Sequence, residues 1–375
     1  MAMRILLLGE YSNVHTTLAA GLRKLGHEVC VMSDGDGWKN YPRDVDLCRR
    51  SGFWGKISFL WRLMKALPRM RGYDVVQIIN PMFLELKAER MMLFYRYLRR
   101  HNGKMVMCAF GMDYYWVSVN HELRPMRYSD FNIGDESRSD DVAQSDYREW
   151  VGTAREALTK AVAQDADAIV AGLYEYFVTY ELAEEGRLKN KLVYIPFPIV
   201  ISENVRSRKT DGRLRIFIGI SKGRSAYKGT DIMLEVAREV EAKYSDRMEL
   251  RVAEGLPFDE YCRIIEDSDV LIDQLYGYAP AMNALLAMSK GIVVVGGGEP
   301  EHYELLGEKK LRPIVNVEPT RESVFRALES LVLHPEKVDE MKRESVIYVR
   351  RHYDFVQVAQ QYERLYHSIM ERSVK

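Results

Sequence analysis

Apolar residues in this chain come in short unbroken runs that alternate with stretches repeating every three or four positions. Arg4-Ile5-Leu6-Leu7-Leu8-Gly9 is such a run and predicts a buried parallel strand. Val14, Leu18, Leu22 and Leu25 follow, spaced to share one face of a helix, and Gly26 is suited to close it in the left-handed conformation. Glu28–Met32, Asp74–Ile79, Lys104–Cys108 and Asp167–Ala171 repeat the strand pattern, with helical stretches between. A second series follows the basic, polar stretch Arg206–Arg213. Its strands are predicted at Leu214–Gly219, Met248–Ala253, Asp269–Asp273, Gly291–Val295 and Pro313–Val317, and Ile232, Val236 and Val240 mark the helix after the first of them. Strands alternating with helices, twice over, predict an α/β chain of two domains, each a parallel sheet covered on both faces. Pro196 and Pro198 stiffen the crossing Tyr194–Ile199, so the boundary is set at 198/199: residues 1–198 and 199–355, with a last helix from about 356 to the end.

The chain has 375 residues, which exceeds one compact core and agrees with two domains. Hydrophobic residues at 47% and charged residues at 29% describe an ordinary folded protein. The formal net charge is zero, which argues against a general nucleic-acid binder. Cys30, Cys48, Cys108 and Cys262 are scattered, as reduced thiols of a cytoplasmic protein would be. No apolar run reaches the roughly 18 residues of a membrane span. The first strand begins at Arg4, leaving no room for a signal peptide, so the expectation is a cytoplasmic protein. The histidines show no metal-binding spacing, and no structural metal is expected. No G-x-G-x-x-G follows the first strand to signify a nicotinamide cofactor, and no cofactor is expected.

Ligands of open parallel sheets bind outside the carboxyl ends of the strands, so the informative residues follow strands. Gly219 to Asp231 is the richest such loop, with Lys222, Gly223, Arg224, Lys228 and Gly229 ahead of a helix. Glycines admit a ligand close to the backbone, the helix start favours an anion, and arginine and lysine grip phosphate oxygens. A diphosphate is the natural ligand; a solvated basic loop is the plainer alternative.

This loop resembles the K-G segment of the family 4 glycosyltransferases, and further resemblances run in the same order along nearly the whole chain. They are the first βαβ unit with its Gly26-His27-Glu28-Val29 turn, "GYDVVQIINP", "ADAIVAGLYEYF", "KLVYIPFPIV", "DSDVLIDQLYGYAPAMNALLAMSKGIVVVGGG" and "HYDFVQVAQQYERLYHSIM". The resemblance implies a GT-B fold, two Rossmann-like domains whose sheets face an interdomain cleft, with the terminal helix returning to the N-terminal domain. It implies transfer of a sugar from a nucleotide-sugar to a hydroxyl acceptor in surface polysaccharide or glycolipid assembly, with retention of configuration and no required metal. Arg224 (with Lys222 as its rival) and Lys228 are then the cations on the donor's diphosphate. A non-catalytic binding or scaffold protein on this fold, or another nucleotide-sugar enzyme such as an epimerase, is the alternative.

The departures from the family are as informative. Its two donor-site glutamates, eight residues apart, fall on Tyr276 and Ala284, neither acidic. Asn283 is the neighbouring amide, and Glu299 and Glu301 in "GGGEPEHYE" are the nearest carboxylates for sugar or ribose hydroxyls, or a polar turn. Tyr276-Gly277-Tyr278 offers backbone N–H groups to phosphates and aromatic faces to a sugar, or packs. In the first half, "CAFGMD" resembles the family's H-G-x-D segment, with Phe110 in place of the histidine and with Gly111 and Asp113 kept. Asp113 is expected to take hydroxyls in the cleft, or to cap a helix. Gly9, Glu10 and Tyr11 are expected to line the acceptor side. The long polar stretch Asp113–Trp150 is the candidate acceptor cover. Arg49–Arg71 carries seven cations, no acid and many aromatics, which suits an anionic membrane surface or a domain helix with a solvated edge.

Overall fold

The protein is seen in a computed structural model that describes residues 2–138, 141–202, 212–220, 223–256 and 258–372. The chain divides into two compact units. Unit 1 is Met1–Pro125, Ser139–Pro198 and Phe355–Lys375; unit 2 is Met126–Arg138 and Ile199–Asp354. The short segment 126–138, which the sequence pattern groups with its neighbours in the N-terminal half, thus packs with unit 2.

In unit 1 the chain runs β1 (Arg4–Leu8), α1 (Val14–Lys24), β2 (Glu28–Ser33), β3 (Val45–Asp46), α2 (Gly52–Ala66), β4 (Val75–Ile78), α3 (Ala88–His101), β5 (Lys104–Ala109) and α4 (Tyr114–Glu122). It enters unit 2 for the hairpin β6 (Asn132–Ile133) and β7 (Glu136–Ser137), then returns as α5 (Asp141–Trp150), α6 (Ala154–Asp165), β8 (Ala168–Ala171), α7 (Tyr174–Leu182) and β9 (Leu192–Tyr194). The strands pair in parallel in the order β3-β2-β1-β4-β5-β8-β9, with Leu6 opposite Cys30 on one side and Val76 on the other. Ile5 to Leu8 are fully buried, which is why the run shows no alternation of polar and apolar positions.

Unit 2 continues with β10 (Leu214–Ile220), α8 (Ser225–Lys228), α9 (Thr230–Lys243), β11 (Met248–Glu254), α10 (Phe258–Glu266), β12 (Val270–Ile272) and α11 (Met282–Ser289). Then come β13 (Val293–Gly296), α12 (Pro300–Leu306), β14 (Val315–Asn316), α13 (Arg321–Leu333) and α14 (Pro335–His352). Its sheet is parallel in the order β11-β10-β12-β13-β14. Ile216, Ile218, Val270, Ile272, Val293 and Val295 form a core with Met233, Val236 and Val240 of α9 and Val324 and Leu328 of α13. Each such side chain contributes roughly 1.5–3 kcal/mol through burial.

The last helix, α15 (Phe355–Glu371), returns to unit 1 and lies against α1. Gly21 makes the contact close: a Cβ there would sit 2.4 Å from the Phe355 carbonyl oxygen and 2.7 Å from Ala359 Cβ. In both sheets the order reverses beside the first strand of the unit, at β1/β4 and at β10/β12, and the loops leaving those strands are where such sheets hold ligands.

Candidate functional site

In unit 2 the loop after β10 closes with Arg224, exposed, ahead of the short helix α8 that ends at Lys228. Lys222 lies outside the described residues; Gly223 is described, exposed, at φ +73°. Gly229 begins α9 at φ +70°, where a Cβ would lie 2.5 Å from Leu275 Cβ and 2.9 Å from the Tyr276 ring. A side chain there is excluded on both counts, so α8, the start of α9 and the loop after β12 are held together. Leu275 N–H donates to the Lys228 carbonyl at 2.9 Å. The N-cap of α9 is Gly229, which has no side chain to cap it, and the cations Arg224 and Lys228 stand just ahead of it in the chain, after β10.

Asp273, just after β12, lies within electrostatic reach of Lys228. Burial pushes its carboxyl up, and the Lys228 charge and a hydrogen bond from Asn283 oppose that shift. Asn283 Nδ2 donates to Asp273 Oδ1 at 3.1 Å, and its Oδ1 accepts from Tyr261 OH at 3.1 Å. The amide therefore bridges Tyr261 and Asp273. Ala284 is buried in α11.

The segment 126–138 lies over the remaining candidates. Arg127 Nη2 donates to Glu299 Oε2 at 2.6 Å, and Nη1 donates to Glu301 Oε1. Tyr128 OH donates to Glu299 Oε1. Tyr128 and Tyr278 stack with ring centres 4.6 Å apart, and the Arg127 guanidinium stands 5.4 Å from the Tyr278 ring centre. Arg138 covers the Tyr276 ring at 4.2 Å and donates to the Ala226 carbonyl at 2.9 Å. Asp130 accepts from Tyr227 OH. The aromatic faces expected to meet a sugar are thus occupied: Tyr278 is buried under Tyr128 and Arg127, and Tyr276 carries Arg138. Gly277 remains at the turn, its carbonyl so close to Gly297 that a Cβ on Gly297 would lie 2.4 Å away.

In unit 1, Tyr11 after β1 and Gly111 after β5 come together, while Gly9 lies against Ile79 and Phe83. The Tyr11 ring lies where a Gly111 Cβ would approach it to 3.0 Å. Glu10 is buried and turned inward. It accepts from His15 N–H at 3.2 Å, Thr16 N–H at 2.8 Å and Thr16 Oγ1 at 2.7 Å, serving the start of α1. Asp113 is fully buried. Its Oδ1 caps α4 through Trp116 N–H at 2.9 Å, and its Oδ2 takes the Tyr180 hydroxyl at 2.5 Å. Burial pushes its carboxyl up to about 6. Of the two roles the sequence allowed Asp113, the structure shows capping, from a carboxylate with no exposed surface for a ligand hydroxyl. Phe110 packs edge-on to Phe197 at 4.9 Å. Among the described residues no group of three or more His, Cys, Asp or Glu is placed to hold a metal ion.

No protein-family model and no curated protein matches the chain. Solved structures do match it in backbone. HepE of Anabaena, in complex with UDP and glucose, superposes with a TM-score of 0.61 at 12% identity, over 98% of this chain and 100% of that one. Sucrose-phosphate synthase from Thermosynechococcus elongatus gives 0.62 at 14%, over 99% and 100%. The chain has the GT-B fold. WaaG, a glycosyltransferase involved in lipopolysaccharide biosynthesis, is a further GT-B match at 0.54 and 11%, over 96% and 98%.

Within this GT-B chain, sequence reasoning passed over Asp273, Arg127, Tyr128 and Arg138. Asp273 had a usable signal, an acid at the end of a predicted strand. The other three lie in a long polar stretch whose local pattern does not say which sheet it will cover.

Proposed function

We propose that the chain is a glycosyltransferase that moves a sugar from a nucleotide-sugar to a hydroxyl acceptor in the assembly of a surface polysaccharide or glycolipid. The observation that carries this reading is the set of Arg224, Lys228 and the uncapped start of α9 at the end of β10, beside the reversal point of the sheet. Such a set suits a diphosphate, and structures of like fold hold UDP and glucose in HepE and ADP in starch synthase IV from Arabidopsis thaliana. Lys228 and Arg224 would stabilise the negative charge that grows on the departing diphosphate, commonly the largest catalytic contribution. Asp273, within electrostatic reach of Lys228 and bonded to Asn283, would hold the ammonium in place. Retention of configuration without a metal belongs to this proposal and rests on the family resemblance.

The acceptor side falls to unit 1, and its helix α2 supports action at an anionic membrane surface. Phe53, Trp54, Ile57, Leu60, Trp61 and Met64 are exposed on that helix, interleaved with Lys56 and Lys65. Among the described residues no helix is long and apolar enough to cross a membrane.

Calorimetry with UDP, GDP, ADP and dTDP tests the donor reading. At least one should bind, and Lys228→Ala and Arg224→Ala should each weaken it by roughly 1.5–3 kcal/mol. Unchanged affinity in both variants would remove this loop from the site. The lack of an acid at Tyr276 and Ala284 favours a second reading, a binding or scaffold protein. That reading takes over if a nucleoside diphosphate binds but no sugar donor is turned over with a broad acceptor panel.

A further inference from the structure

We propose that Arg127 is a positioning residue of the donor site: it gathers Glu299 and Glu301 into one carboxylate pair that receives the hydroxyls of the donor's sugar. The inference rests on the donor reading above and adds the groups that recognise the sugar.

Position comes first. The backbone at Gly297 touches the Gly277 carbonyl, and Glu299 N–H donates to the Tyr278 carbonyl at 3.1 Å. The two carboxylates therefore stand beside the 276–278 loop, where the chain has a tyrosine in place of an acid. Glu299 precedes α12 and Glu301 lies in its first turn. Two like charges this near in sequence repel, and one planar guanidinium answers both: Nη2 meets Glu299 at 2.6 Å while Nη1 meets Glu301. Lysine, a point charge, has no such fork.

Burial separates this arrangement from an ordinary surface ion pair. The Glu299 side chain is 5% exposed, whereas Arg127 is 56% exposed. A carboxylate so enclosed is costly unless its oxygens are partnered, and they are, Oε2 by Arg127 and Oε1 by Tyr128. Each carboxylate oxygen has two lone pairs, so one protein donor apiece leaves acceptor capacity for a hydroxyl. The backbone that carries Arg127 and Tyr128 is tied down on both sides. Ser129 Oγ donates to Asn132 Oδ1 at 2.5 Å, Asn132 Nδ2 donates to the Met126 carbonyl at 2.9 Å, and Tyr128 stacks on Tyr278. Segment 126–138 is a preformed piece of unit 2, and a preformed shell is what sets the orientation of a polar recognition pair.

Saturation-transfer NMR on the full chain, with UDP-, GDP-, ADP- and dTDP-glucose as probes, reads base and sugar contacts separately. The parent should show both for at least one probe. Arg127→Met should keep the base signals within about twofold and lose at least roughly threefold of the sugar signals, as removal of charged hydrogen bonds requires. Glu299→Gln/Glu301→Gln should give the same pattern, and adding Arg127→Met to it should change nothing more. Sugar signals at parental strength in Arg127→Met overturn the inference. So does an equal fall of base and sugar signals, which marks a structural staple; in both cases the donor reading stands on the parent's base signals. A parent that shows neither signal with any probe overturns the donor reading and this inference with it.

Discussion

Glu10 takes three hydrogen bonds at the start of α1, yet burial outweighs them and pushes its carboxyl up from 4.5 to about 7. Between these values the folded chain holds a proton that the unfolded chain has released. The group's contribution to stability is therefore fully present below pH 4.5 and is lost as pH rises through about 7. Glu10→Gln cannot titrate, so the difference in melting temperature, variant minus parent, should move in the variant's favour between pH 5 and pH 8. A difference that stays constant across that range would show that burial does not govern this carboxyl. Acids of this kind limit what sequence can say about a site. Glu10 and Asp113 follow strands, as a ligand-facing acid would, but an acid after a strand is also well placed to serve the helix that comes next, and here that partner wins. Arg224 and Lys228 lie where the sequence pattern puts them, after β10 and ahead of α9.

At the scale of elements, α2 leaves much of its apolar surface uncovered. It buries Phe59, Leu63 and Ala66 and leaves Phe53, Trp54, Trp61 and Met64 outward. Lys65 stands 3.6 Å from the Trp61 ring centre, and Arg62 is tied to Asp46 at 2.7 Å. If this face lies on a membrane, the protein should sediment with anionic vesicles, and binding should fall with salt. Trp54→Ser/Trp61→Ser should weaken binding by roughly tenfold or more, given the apolar area lost. Equal partition onto neutral and anionic vesicles would count against the electrostatic part, and no binding to either against the whole. The helix itself was legible in the run of basic and aromatic residues; which apolar residues stay uncovered was not, because that depends on what the neighbouring elements leave open. The central strands were legible for the opposite reason, since burial on both faces writes itself as an unbroken apolar run. The two-residue β3 and the half-buried β9 at the sheet edges carry no such mark.

For the whole molecule, the division into units cuts across the chain order. Unit 2 borrows residues 126–138, and unit 1 takes back α15. Residues 199–354 alone would lose Met126, Tyr128 and Phe131, which are buried, and would leave Glu299 without its partners. That fragment should melt several degrees lower once the segment is missing, and a synthetic 126–138 peptide should raise its melting temperature by mass action. A peptide without effect at high micromolar concentration would mean the segment adds little to unit 2. The same borrowing bears on how the protein is made. When 126–138 leaves the ribosome, the sheet it must cover does not yet exist, and roughly two hundred further residues, on the order of ten to forty seconds of synthesis, precede its completion. Unit 1 waits as long for α15. Until those partners are made, the nascent chain carries Tyr128, Phe131 and the α1 face that α15 covers without them, an interval in which chaperone binding competes with folding.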